Sequence, residues 1–182
     1  ESILPGRALL AISLFTFGIT IVEGAVADWS GIFMRDEFQQ PSGASGLGYA
    51  AFAAMVAVGR FAGDRMKARL GAVGSARLCS LMSLAGLAIV LASPNSYAAI
   101  AGFALTGFGV SVGFPLAVTA VARLTDRPAA SSVAILTFIA LSGFLVGPPA
   151  IGFVAEYFGI RTGLAMLLPG LAASFFLAGA LG

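Results

Sequence analysis

Glu23 is the residue most able to do chemistry in this chain. It lies about 15 residues into a long apolar run, and at ~1.5 Å per residue that is close to the middle of a bilayer. An ionised side chain at that depth costs at least about 2.5–3.5 kcal/mol, so it is normally turned toward a cavity where it exchanges protons or binds a solute. Ser13, Thr16, Thr20, Glu23, Ala27 and Ser30 follow at spacings of three and four, which places them on one helix face. Thr16 and Thr20 are therefore expected beside Glu23 in a polar cavity. The other reading is a structural carboxyl tied to neighbouring backbone. Asp28 is rotated roughly 140° from Glu23, so it either touches solute or caps a helix break. Trp29 has two uses open to it, an interfacial anchor or a stacking platform for a sugar-like ligand.

Charge is concentrated elsewhere. Arg60, Arg65, Lys67 and Arg69 are four of the ten basic residues, packed into ten positions between two apolar runs. A tight basic knot of this kind reads as a cytoplasmic connection between membrane helices. The composition agrees: 59% of residues are hydrophobic and 10% charged, against about 25% charged in a soluble domain. Most of the outer surface must then face lipid. The small net charge of +2 argues against nucleic acid as a partner. With no histidine and the single Cys79, no metal site, disulfide or recognisable catalytic set is expected, so the chain does not read as an enzyme and implies no cofactor.

A membrane crossing needs about 20 predominantly apolar residues. Six candidate spans follow, at about 8–34, 45–63, 73–92, 97–122, 130–155 and 163–181, so residues 1–182 form one all-α membrane bundle. Pro115 and the pair Pro148-Pro149 mark expected kinks, and Gly147 with Gly143 suits close helix contact. The small stripe Gly102, Thr106, Gly109, Gly113, Ala117 and Ala120 reads as a packing face. Arg7, the five cations from Arg60 to Arg77, Arg123 and Arg127 fall on one side and Arg35 and Arg161 on the other. That bias places residues 1–7, 64–71 and 123–129 in the cytoplasm, residues 35–44, 93–96 and 156–161 outside, and both ends inside. The chain starts Glu1-Ser2 and reads as a piece of something longer.

The stretch from Gly59 to Gly71 resembles the charged loop signature of the major facilitator superfamily, roughly Gly-x-x-x-Asp-Arg-x-Gly-Arg-Arg. Asp64, Arg65 and Arg69 fall on its acid and arginine positions, whereas Arg60 and Lys67 stand where it has glycines. The segment Gly152 to Arg161 fits the same signature three spans later, with Gly152, Glu156, Gly159 and Arg161 on its positions. An odd number of spans between copies gives the inverted three-plus-three repeat of such transporters. The segments Glu23–Ser30, Gly107–Pro115 and Gly143–Pro149 are similar to bacterial sugar-permease-like members. The resemblance implies the C-terminal six-helix half of a twelve-helix transporter in a bacterial inner membrane, its N-terminal half as partner. It implies alternating access, a small and sugar-like solute, a cytoplasmic gating role for Asp64, Arg65 and Arg69, and proton coupling for which Glu23 is the candidate. No ATP-binding Gly-x-x-x-x-Gly-Lys loop occurs, so transport would be facilitative or driven by a gradient. A different class also remains open: a non-transporting six-helix scaffold or receptor-like module, whose helix faces would be sealed by packing.

Overall fold

The computed structural model describes residues 6–182, and every regular element in it is helical. Helix α1 spans Arg7–Phe38 and ends on Gln39 in the left-handed conformation. A single turn, α2 (Ser42–Ser45), leads into α3, Leu47–Ala92. Asn95 caps α4 (Ser96–Val110) by accepting from the Ala98 N–H at 3.0 Å. Helix α5 is Gly113–Val121, and residues 122–128 connect it to α6, Ala129–Phe158. The chain closes with α7 (Ile160–Ala165), α8 (Leu167–Leu177) and a 3-10 turn at Ala178–Leu181.

Five of the helical stretches are long and apolar enough to cross a membrane, of which Ser42–Ala92 is the longest at 51 residues. That stretch contains one non-helical residue, Gly71, at φ 72° and ψ 177°. This region of backbone space is open essentially to glycine alone. The contacts on either side of it run in opposite order along α4. Before Gly71, Gly48 lies against Phe103, Phe52 against Gly107, and Gly59 against Ser111. After it, Cys79 and Ser83 lie against Gly109, Gly86 against Thr106, and Val90 against Gly102. The two limbs of α3 are therefore antiparallel, and the chain reverses at one glycine. Gly159, between α6 and α7, has the same kind of backbone, φ 84° and ψ 160°.

Lipid supplies no hydrophobic force to drive apolar helices together, so close approach through small residues has to do it. Gly109 sits against the Ser83 amide and the Cys79 carbonyl, Gly18 against Ser174 and Gly170, and Gly24 against Phe144. The Ser174 hydroxyl also donates to the Phe15 carbonyl at 2.9 Å. Helix α6 buries only a thin stripe of Ser132, Leu136, Ala140, Gly143, Gly147 and Ile151. Around that stripe Phe138, Leu145 and Phe153 are exposed by two-thirds or more, as suits a surface solvated by acyl chains.

The prolines act unequally. The pyrrolidine of Pro115 would clash with the carbonyl four residues back, and the break between α4 and α5 falls there, at Ser111-Val112. Pro148 and Pro149, where the sequence suggests a kink, lie inside α6 and do not end it.

Candidate functional site

Glu23 is midway along α1, and it lines an open cleft with Ala27, Tyr49, Phe52, Ala53, Val56, Arg60 and Phe144. The cleft holds about 250 Å³. Across it the Arg60 guanidinium lies 3.6 Å from the Glu23 carboxylate, with side-chain exposures of 59% and 29%. That separation is too long for a hydrogen bond. Among the described residues Arg60 makes no shorter polar contact.

The sequence expectation puts Arg60 near the end of the second span, 45–63, and counts its charge with the cytoplasmic side. The first limb of α3 is helical from Leu47 through Leu70, so Arg60 lies about 15 Å before the Gly71 reversal. Arg, Met, Lys, Ala and Leu all favour helix, and nothing between Arg60 and Leu70 terminates one. Arg60 thus stands on the helix itself, level with Glu23. Asp64, Arg65 and Arg69 also stand on this helix and not in a loop, and all three are exposed. They form no ion pair among the described residues.

Two further clefts adjoin the first on the same face. Toward Gly71, about 240 Å³ is bounded by Arg60, Gly63, Asp64, Lys67, Val112, Pro115, Leu116 and Thr119. Toward the other end, about 490 Å³ is bounded by residues that include Ala27, Asp28, Arg35 and Tyr49. Arg60 borders the first two clefts and Ala27 and Tyr49 border the first and third, so the three lie side by side along α1, the first limb of α3 and α5, and together are called the trough. Asp28 is in it, one cleft away from Glu23.

Thr16 and Thr20 are not in the trough, and this corrects the expectation that they line the cavity. Both are buried: Thr16 donates to Ile12 O at 2.8 Å, and Thr20 donates across to Ala140 O of α6 at 2.8 Å. Their angle around α1 is close to that of Glu23, but nearer the start of the helix that face is covered by packed neighbours. Ser13 and Ser30 of the same stripe are buried too. Trp29 lies on another side of α1, against Gly152 of α6, where it lines a separate cleft with Glu37 and Glu156. Its indole N–H is buried without a hydrogen-bond partner among the described residues. Gly147 packs on Ile21, and Pro115 lines the trough near Asp64.

Tyr49, Phe52, Phe144 and Arg60 form most of the wall around Glu23, and sequence reasoning missed their shared surface. The signal was present. Tyr49, Phe52, Ala53, Val56, Arg60, Gly63 and Lys67 recur at helical spacing on one face, so an aromatic surface leads directly to an arginine.

At the opposite end of the bundle Arg161 makes a denser set of contacts. Its Nε donates to Glu37 Oε2 at 2.5 Å, its Nη1 to Leu91 O at 2.6 Å and its Nη2 to Ser93 O at 3.0 Å. The guanidinium also lies 5.4 Å from the Phe33 ring and 5.7 Å from that of Phe38. These contacts tie together the ends of α1, α3 and α7.

No family model matches the chain. It is 36% identical over 175 residues to an uncharacterised MFS-type transporter of Yersinia pestis, across 94% of this chain and 46% of that protein. It is 32% identical over 160 residues to the membrane protein MosC of Rhizobium meliloti, across 88% of this chain and 39% of that one. The chain thus spans less than half the length of these relatives. Among solved structures it is similar to the MFS proton:xylose symporter XylE bound to 6-bromo-6-deoxy-D-glucose. The TM-score is 0.69 at 15% identity, over 96% of this chain and 42% of that one.

Proposed function

The chain belongs to the major facilitator superfamily, a group of membrane transporters and not of enzymes, and from that premise we propose that it is the C-terminal six-helix half of a twelve-helix solute transporter. Its solute passes along the trough that contains Glu23 and Arg60. The single observation that carries this reading is the pair of opposite charges facing each other between two long apolar helices, beside open clefts. A scaffold has no use for two charges whose insertion costs about 2.5–3.5 kcal/mol each. The N-terminal half of the same protein supplies the facing wall, and alternating access arises as the two halves rock.

We count the long stretch Ser42–Ala92 as two spans, which gives six. Gly71 and Gly159 support an inverted three-plus-three repeat: Gly71 closes the first copy of the charged segment and Gly159 lies near the end of the second, with nearly the same unusual backbone. Relative to the acid, the glycine comes at plus three in the second copy (Glu156) and at plus seven in the first (Asp64). The difference is about one helical turn. With Arg60 inside the membrane, Arg7, Arg65, Lys67, Arg69, Arg77, Arg123 and Arg127 make seven cations on the Gly71 side against Arg35 and Arg161 on the other. That supports both ends of this half lying in the cytoplasm, in a bacterial inner membrane.

Glu23 is the proton-coupling group in this reading, because its charge is balanced by Arg60 without a hydrogen bond and can be given up. The sequence segments shared with sugar permeases favour a sugar-like solute.

Cysteine accessibility tests the proposal without knowledge of the solute. In the full-length protein, Ala53→Cys in the trough should react with a membrane-impermeant maleimide, while Leu145→Cys on the lipid side should not. An unreactive Ala53→Cys from both sides of the membrane would indicate a sealed scaffold and overturn the reading.

A further inference from the structure

We propose that Arg60 is the anchor for a carboxylate-bearing solute and that Glu23 occupies the anchor when the solute is absent. The inference rests on the Glu23–Arg60 trough being a solute site, as above, and it changes the class of solute expected there.

The argument begins with what Arg60 lacks. A guanidinium has five N–H donors in a planar fork that matches a carboxylate with two parallel bonds. Arg161 in this same chain shows such a group in a structural role: it donates three hydrogen bonds and lies against two aromatic rings. Arg60 donates none among the described residues, its one counter-charge stands off at 3.6 Å, and 59% of its side chain is open. Within this half, Arg60 therefore keeps donors that a second anion can take.

The surroundings fit the rest of such a solute. Tyr49, Phe52, Val56 and Phe144 wall the cleft with apolar and aromatic surface, and Tyr49 and Phe52 stack with their ring centroids 6.4 Å apart. About 250 Å³ accommodates an organic acid with a single ring. In this cleft Tyr49 is the one uncharged hydrogen-bonding side chain, and the serines and Thr119 line the neighbouring clefts instead.

The exchange also yields a coupling rule. The solute carboxylate and the Glu23 carboxylate compete for one cation, since two anions at that depth on one guanidinium leave a net buried charge. Protonation of Glu23 releases Arg60 to the solute, so proton and organic anion enter together and the site stays neutral overall. No covalent step is involved, and the proton resides on the Glu23 carboxyl while the solute is bound.

The test uses matched probes on the full-length protein in detergent: cinnamate, cinnamyl alcohol and xylose, with affinity read from the thermal shift at pH 5.5 and pH 8. Cinnamate should stabilise the protein more strongly at the lower pH, and cinnamyl alcohol, with the same ring but no charge, should not. Arg60→Lys should weaken cinnamate by about tenfold through loss of the bidentate fork. Glu23→Gln should tighten it and remove the pH dependence. The double variant Glu23→Gln with Arg60→Gln leaves no unpaired charge, should fold, and should not respond to cinnamate. Equal response to cinnamate and its alcohol, a response to xylose alone, no response to cinnamate, or a cinnamate response surviving in the double variant would each overturn the inference. Its fate is separate from that of transport. Uptake of a neutral sugar unaffected by Arg60→Lys would leave transport standing and sink the anchor. A cinnamate site lost in the double variant of a protein that moves no solute would do the reverse.

Discussion

Replacing Arg161 by Met keeps an unbranched apolar stem and removes the guanidinium with every donor. Glu37 then loses its partner, and the Leu91 and Ser93 carbonyls at the end of α3 lose theirs. Hydrogen bonds to a charged group are worth about 1.5–3 kcal/mol each, so a simple sum over three would approach 5 kcal/mol or more. That sum is too large. The Arg161 and Glu37 side chains are 33% and 26% exposed, and water reaches part of what the arginine leaves. Two of the acceptors are carbonyls near a helix end, where solvent is the usual substitute. We therefore expect a loss of about 2–3 kcal/mol, set mainly by Glu37 and the lost face contacts with Phe33 and Phe38. Arg161→Lys should recover less than half, because an ammonium cannot serve three acceptors in one plane and lie flat on the rings. Cys79 is buried and is the single cysteine of these residues, so it reports unfolding through a thiol-reactive dye once cysteines elsewhere in the protein are replaced. Thermal or denaturant unfolding in detergent then gives the difference. A Met variant within about 0.5 kcal/mol of the parent, the range of ordinary surface substitutions, or a Lys variant equal to it, would refute the idea that this arginine braces the bundle.

Four other outcomes are expected. Gly71→Ala and Gly159→Ala should each cost about 1–3 kcal/mol through backbone strain alone, since a Cβ at either meets open space, while Gly43→Ala, equally open but without positive φ, should be near neutral in the same unfolding assay. Gly109→Leu should lower folded yield far more than Gly43→Leu, because its side chain must displace the Ser83 and Cys79 backbone; equal yields would contradict the close α3–α4 approach. Asp64→Asn, if the charged segment gates access as the family resemblance implies, should change labelling of Ala53→Cys with little effect on membrane insertion; unaltered labelling would leave Asp64 as a topology signal only. Thr125→Cys should be modified from the cytoplasmic side of sealed vesicles and Asn95→Cys from the outer side, and the opposite pattern would reverse the proposed orientation.

The apolar runs are legible in the sequence because a bilayer demands length and composition, and both are local properties. Turns are less so. The charges from Arg60 to Leu70 look like a loop, yet polar residues do not end a helix; only the backbone at Gly71 does. A run of helix-favouring residues can carry its charges along one face into the membrane. The Glu23 stripe illustrates a second limit. Spacing fixes the angle of Thr16, Thr20 and Glu23 around α1, but what stands opposite each depends on how α6 crosses, and that is decided by small residues far along the chain such as Ala140 and Gly143. Arg60 and Glu23 are 37 positions apart (60 − 23), so neither residue's local context announces the other. Pro115 marks a break that the structure puts one turn earlier, whereas helix α6 continues past Pro148 and Pro149 to Phe158.

The uneven length of the connections divides the chain into parts that tolerate very different handling. Where reversal depends on one glycine, at Gly71 or Gly159, there is no slack to accept an inserted epitope or to present to a protease. Residues 122–128 offer more: seven residues, most of them exposed, between α5 and α6 with no helix among them. A nick or a tag belongs there. Cleavage at that point leaves α1 through α5 as one fragment and α6 to the end as another, each with its own glycine reversal intact. Such fragments could be made as separate polypeptides and mixed, with the seam of Thr20, Gly143 and Gly147 left to find its own register.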